Sequence, residues 1–358
     1  MSFFVHEKVS LFLKRQKTED WKQIYLYVFV CFLLSISLQE LLKNNYAKLT
    51  SVKLCEIKTN ETQRFLICLF SDNFNNKRQK NMMTSQSAPI GIFDSGYGGL
   101  TIFEKIRDLL PQYDYLYLGD NARTPYGSRS FEVVYQFTRQ AVQYLFNAGC
   151  PLVILACNTA SAKALRTIQQ RDLPRIAPDR RVLGVIRPTV EVVDRISRNK
   201  HVGIFGTSGT IASQSYRLEI AKLFPHVTVV DEACPMWVPL VENREYDSPG
   251  ADYYVKKHID NLLLQDPEVD TILLGCTHYP LLIHKIKQFL PEEITVFAQG
   301  SRVAESLQDY LFRHPEIDGR LTKGHSSRFL TTESTSKFSE MASLFLKQLI
   351  DVEQVLLF

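Results

Sequence analysis

From residue 89 onward, apolar and polar positions fall into a regular alternation: a short run rich in Val, Ile, Leu or Phe, a turn of Gly, Ser, Thr or Asp, then a longer stretch with helical spacing. Runs that are apolar at consecutive positions predict strands buried on both faces, as in a parallel sheet covered by helices on each side. Such runs occupy 90–93, 115–118, 152–156, 182–185, 201–205, 227–231, 271–274 and 295–297. Between them the spacing predicts helices over about 101–110 (stopped by Pro111), 130–148, 160–170, 188–198, after 210, 251–264, 279–290 and 302–312. A last strand at 329–332 and a helix at 336–348 are expected to return to the first half. Strand and helix in strict alternation predict an α/β protein built as two doubly wound domains with parallel sheets, the site lying in the cleft between them. The Pro-, Arg- and Asp-rich stretch 172–181 reads as the crossing, giving one domain from 83–180 plus about 291–358 and a second from 181–290.

Residues 1–82 follow no such rhythm. They are rich in Lys, Asn, Phe and Tyr, and their most apolar stretch, 24–38, stands behind Lys14, Arg15, Lys17 and Lys22 as the core of a signal segment would. The competing expectation is an upstream reading frame joined by a misplaced start, with Met82 or Met83 as the initiator.

Charge sharpens this division. Residues 1–82 carry 13 Lys and Arg against 7 Asp and Glu, whereas the remainder carries 29 against 31 and offers no basic footprint for nucleic acid. Of seven cysteines, four lie beyond residue 83 without regular spacing, so free thiols in a reducing cytoplasm are expected rather than a disulfide framework.

Two of those cysteines end strands. Cys157 closes Pro-Leu-Val-Ile-Leu-Ala-Cys and Cys276 closes Asp-Thr-Ile-Leu-Leu-Gly-Cys; each is followed by hydrogen-bonding residues, Asn158 and Thr159 or Thr277 and His278. Carboxyl ends of parallel strands line the ligand crevice, and a helix start beside a thiol favours its thiolate. One cysteine at a strand end is ordinarily a small buried apolar residue; two at equivalent places suit proton transfer on opposite faces of one carbon. Zinc is the rival for Cys276-Thr-His278, but no second Cys/His pair with ligand spacing stands nearby. His278 is either a core histidine or an acid/base helper, and Glu242 either a solvated carboxylate or a buried partner. Thr207 and Thr210 either cap a helix or direct hydroxyls at an anion.

The turn Asp94-Ser95-Gly96-Tyr97-Gly98-Gly99 does not fit a dinucleotide fingerprint, because Thr101 stands where the third glycine belongs and Asp94 would repel a pyrophosphate. It is either a turn chosen for its backbone angles or a cradle presenting Ser95 and N–H groups to a carboxylate, with Asp94 aimed at an amine or thiol.

In order and spacing, Gly91-Ile-Phe-Asp94-Ser95-Gly96, Gly119-Asp-Asn-Ala-Arg-Thr-Pro125-Tyr126-Gly127, Ala156-Cys157-Asn158-Thr159, Gly206-Thr207-Ser-Gly-Thr210 and Gly275-Cys276-Thr277-His278-Tyr resemble the glutamate racemases, over roughly 88–312. The segment Ala298-Gln299-Gly300-Ser301 departs from an Asp-Ser pattern common in that family. The resemblance implies cofactor-independent, metal-free interconversion of L- and D-glutamate for peptidoglycan: Cys157 takes the α-proton of D-glutamate, Cys276 protonates the other face, and the roles reverse for L-glutamate. It further implies that Asp94 assists Cys157, and Glu242 and His278 assist Cys276. On the same resemblance, Asp94, Ser95, Tyr126, Gly127, Asn158, Thr159, Thr277 and His278, with Thr207 and Thr210 farther off, are the positions expected to hold the substrate. A homodimer is implied, no nucleic-acid partner is expected, and contact with DNA gyrase is known for some members. The aspartate racemases share the two-cysteine logic but usually carry an acidic residue where His278 stands.

Overall fold

A computed structural model describes residues 88–357; the signal-like stretch and both candidate initiators lie outside the described residues. Along the chain come β1 (Ile90–Asp94), α1 (Leu100–Leu109), β2 (Tyr115–Gly119), α2 (Phe131–Asn147), β3 (Leu152–Leu155), α3 (Asn158–Lys163) and β4 (Arg181–Gly184). Then follow β5 (His201–Gly206), α4 (Ser208–Ala212), α5 (Ser215–Leu223), β6 (Thr228–Ala233), α6 (Trp237–Glu242), α7 (Pro249–Gln265), β7 (Thr271–Gly275) and β8 (Thr295–Phe297). The last segment is α8 (Gly300–Arg313), β9 (Ser327–Thr331), α9 (Thr335–Leu346) and β10 (Val352–Gln354), with short turns of helix between these elements.

The strands form two wholly parallel sheets, in the orders β10-β9-β2-β1-β3-β4 and β6-β5-β7-β8. The period of two along each strand decides what covers each face. Ile90 and Ile92 of β1, Tyr115 and Tyr117 of β2 and Ile154 of β3 join Phe103 and Ile106 of α1 and Leu307 of α8. Phe93, Leu116, Leu118, Val153 and Leu155 point the other way, onto Val134, Val142 and Leu145 of α2. In the second sheet Phe205, Ile272 and Leu274 meet Trp237 and the buried face of α7, while Val202, Ile204 and Leu273 meet Tyr216 and Ile220 of α5. Ser130 caps α2 by accepting from Val133 N at 3.3 Å, and Ser248 caps α7 by accepting from Ala251 N at 3.2 Å, with Pro249 in the first turn.

Several boundaries differ from those the pattern predicts. The strand after residue 180 is paired with β3, from Leu152↔Arg181 to Leu155↔Gly184, so it is the edge of the first sheet and the crossing falls after it rather than over 172–181. Likewise β8 pairs with β7 in the second sheet, and the chain returns to the first lobe only at Gln299 and α8. Both shifts follow from apolar edge strands being taken into the nearer sheet, which satisfies their backbone groups. The stretch 160–170 is not one helix: α3 starts at Asn158, and beyond it the chain passes through a wide turn at Ile168–Asp172. The helix expected over 279–290 begins as a tighter turn, Tyr279–Leu282, before Ile283–Phe289.

Candidate active site

Every strand of a parallel sheet ends on the same side, and both cysteines stand at such ends. Cys157 follows β3 and is the capping residue of α3: its Sγ accepts from Ala160 N at 3.4 Å and lies 3.3 Å from Ser95 Oγ in the turn after β1. Cys276 follows β7, with its Sγ 3.9 Å from His278 Nδ1. The other ring nitrogen, His278 Nε2, is 3.1 Å from Glu242 Oε1 at the end of α6. Both thiols are buried.

Glycine brings the two lobes together. A Cβ on Gly98 would stand 2.4 Å from Thr277 Oγ1 and 2.4 Å from His278 Nδ1, so the turn after β1 can lie against the Cys276 loop only without a side chain there. Thr101 Oγ1 fastens the same contact, donating to Thr277 O at 3.0 Å. Farther along the cleft, Gly209 N donates to Gly127 O at 2.7 Å. Three hydroxyls from both lobes close a triangle: Thr159 to Thr207 at 2.9 Å, Thr159 to Thr210 at 3.2 Å, and Thr207 to Thr210 at 3.0 Å.

The two thiols have different polar neighbours. Burial pushes Cys157 up to about 12, the Asp94 carboxylate adds to that, and the donors Ser95 and Ala160 N work against it, so Cys157 holds its proton at neutral pH. Burial also raises Asp94, against the charge of His278 and the N–H groups of Gly96 and Gly99. Its Oδ2 accepts from Gly96 N at 2.9 Å, while Oδ1 is buried with no partner among the described residues. Burial alone would push His278 down. Hydrogen bonds to Cys276 and Glu242 outweigh it and carry the imidazole up to about 10. Cys276 thus faces an imidazolium beside Glu242, and Cys157 faces the Ser95 hydroxyl and the buried Asp94 carboxyl. Among the described residues no group of three or more His, Cys, Asp or Glu side chains is placed to hold a metal ion.

Residues 99–299 match the family described as Asp/Glu/Hydantoin racemase. The chain is 40% identical over 274 residues to the glutamate racemase of a Ruegeria species, covering 74% of this chain and 98% of that protein. It is 41% identical to that of Paracoccus denitrificans, with the same coverage of both. The chain belongs to the glutamate racemase family. Among solved structures of the family, that from Bacillus anthracis superposes with a TM-score of 0.68 at 35% identity, over 75% of this chain and 97% of the other. The Francisella tularensis racemase, solved with D-glutamate, gives 0.67 at 31% identity over the same shares.

The structure brings Asp94, Ser95, Cys157, Glu242, Cys276, Thr277 and His278 into one chain of contacts and Gly127, Thr159, Thr207 and Thr210 into another. Thr207 caps α4, accepting from Thr210 N at 3.2 Å, which is the structural one of its two readings. Two side chains turn elsewhere. The Tyr126 hydroxyl donates to Asp120 and its ring packs on Phe93 and Phe137, leaving the cleft only its backbone. The Asn158 amide is occupied by Gln299 and Tyr216. Neither Tyr216, in an ordinary helical stretch, nor Thr101 carried a sequence signal for the site; Gln299 was marked only by its departure from the family's Asp-Ser pattern.

Proposed function

We propose that this racemase interconverts L- and D-glutamate by a two-thiol mechanism without a cofactor, and that it supplies D-glutamate for peptidoglycan in the cytoplasm. The observation that carries the reading is the pair of buried strand-end thiols, Cys157 with its Sγ 3.3 Å from Ser95 Oγ and Cys276 with its Sγ 3.9 Å from His278 Nδ1. For L-glutamate, the Cys276 thiolate takes the α-proton. The electron pair left on carbon spreads into the α-carboxylate, and the Cys157 S–H delivers its proton to the opposite face. Cys157 is then a thiolate and Cys276 a thiol, which is the form that turns over D-glutamate. His278 holds positive charge at the Cys276 sulfur while that sulfur is anionic, and Glu242 keeps the ring in place. The hydroxyls of Ser95, Thr159 and Thr207 and backbone N–H groups at the starts of α3 and α4 hold the carboxylates.

Relatives of some 40% identity named as glutamate racemases support glutamate over aspartate as substrate. Four buried free thiols suit a reducing compartment, and no helix among the described residues is long and apolar enough to cross a membrane. The reading is tested by Cys157→Ala and Cys276→Ala, each assayed from both enantiomers by chiral separation. Each variant is expected to lose racemisation in both directions while keeping its fold; racemisation surviving in either would refute the two-thiol reading.

A further inference from the structure

Beneath the cleft, three side chains from three parts of the chain bond to one another. Asn158 Nδ2 donates to Gln299 Oε1 at 3.0 Å, and Gln299 Nε2 donates back to Asn158 Oδ1 at 3.2 Å, a reciprocal amide pair. Tyr216 OH donates to the same Asn158 Oδ1 at 2.7 Å and accepts from Gln299 Nε2. Asn158 is 2% exposed, Tyr216 and Gln299 3% each. Both N–H groups of the Gln299 amide and its carbonyl oxygen are engaged within the cluster.

What the cluster touches gives it a role. Asn158 is the residue after Cys157. The ring of Tyr216 lies against the residue before Cys276, since a Cβ on Gly275 would stand 3.4 Å from its Cε2. Gln299 belongs to neither sheet: it sits where the chain passes back from β8 to α8, the second of the two passages between the lobes. We propose that Gln299 is a positioning residue which locks Asn158 to Tyr216 and thereby fixes the separation of the Cys157 and Cys276 thiols across the cleft. The proposal rests on the two-thiol reading above. Proton removal and return on opposite faces of one carbon tolerate little error in placement, and buried directional hydrogen bonds hold a spacing that apolar packing between two lobes leaves softer.

The test uses Gln299→Met, Tyr216→Phe and the double variant, with kcat and KM measured for both enantiomers. In D2O, deuterium entering the unconverted substrate is compared with deuterium in the racemised product. Gln299→Met is expected to lower kcat on the order of 10- to 100-fold with KM within about threefold of the unaltered chain. It is also expected to raise deuterium in the recovered substrate, because a carbanion kept waiting by a misplaced second thiol gives the first thiol's S–H time to exchange with D2O before it returns its proton to the same face. Tyr216→Phe is expected to move both readouts in the same direction by less, and the double variant to be little worse than Gln299→Met, because the three groups act as one unit. A folded Gln299→Met protein with unaltered kcat and unaltered deuterium distribution overturns the proposal, whatever its melting temperature. Should that variant not fold, an unaltered distribution in Tyr216→Phe overturns it. Absence of glutamate racemisation by the unaltered chain overturns instead the two-thiol reading beneath it.

Discussion

Between the Cys276 sulfur and the Glu242 carboxylate, the buried imidazole of His278 keeps its proton to about pH 10, against an ordinary value of 6.5. A base whose folded value is raised adds stability that is complete below its unfolded value and is lost as pH rises through the folded one. Resistance to urea should therefore fall progressively above about pH 6.5, and His278→Gln should remove that part of the slope. An equal slope in both proteins between pH 6.5 and 9 would show that the imidazole is not so held. Above pH 9 the raised thiol of Cys157 adds a loss of its own as the unfolded chain ionises first. At this scale the placing of Cys157 and Cys276 at the ends of buried strands was legible in the sequence, because each closes an unbroken apolar run. The directions of Asn158 and Tyr126 were not legible, since an amide or a hydroxyl serves a neighbour as readily as a ligand, and the neighbours Gln299 and Asp120 are set by tertiary packing.

The turn between β1 and α1 is one of the elements on which the two lobes meet. With a Cβ at Gly98 only 2.4 Å from Thr277 Oγ1 and His278 Nδ1, Gly98→Ala should force the Cys276 loop away. A cost of about 1–3 kcal/mol in stability is expected from such overpacking, together with loss of turnover. Gly250, in the first turn of α7, meets only Ser248 Oγ at 3.4 Å, and Gly250→Ala should leave both nearly unchanged. Equal effects of the two substitutions, by urea unfolding and racemase assay, would contradict the close approach. The strands of this element set were readable because a run of apolar residues has few alternatives to a doubly covered strand, as in β1, β3 and β7. β10 was not, because Glu353 and Gln354 make an exposed edge strand look like a polar tail. Nor was the break after α3, where a wide turn leads into an edge strand paired to β3.

For the whole molecule, alternation of strand and helix was enough to give two parallel sheets, but not where the chain passes between them. Sequence composition marked 172–181 as the crossing, whereas pairing decides it: β4 belongs to the first sheet, β8 to the second, and the passages lie after Gly184 and at Gln299. Both passages leave from the carboxyl ends of strands, the same ends of the two sheets that carry Cys157 and Cys276. The most direct test is to incubate the protein with L-glutamate in D2O without added cofactor, with L-aspartate in parallel, following enantiomer composition and α-deuterium together. D-Glutamate carrying one α-deuterium, with no conversion of aspartate, is the predicted result; a folded protein that exchanges the α-proton of neither amino acid would contradict the account at its centre.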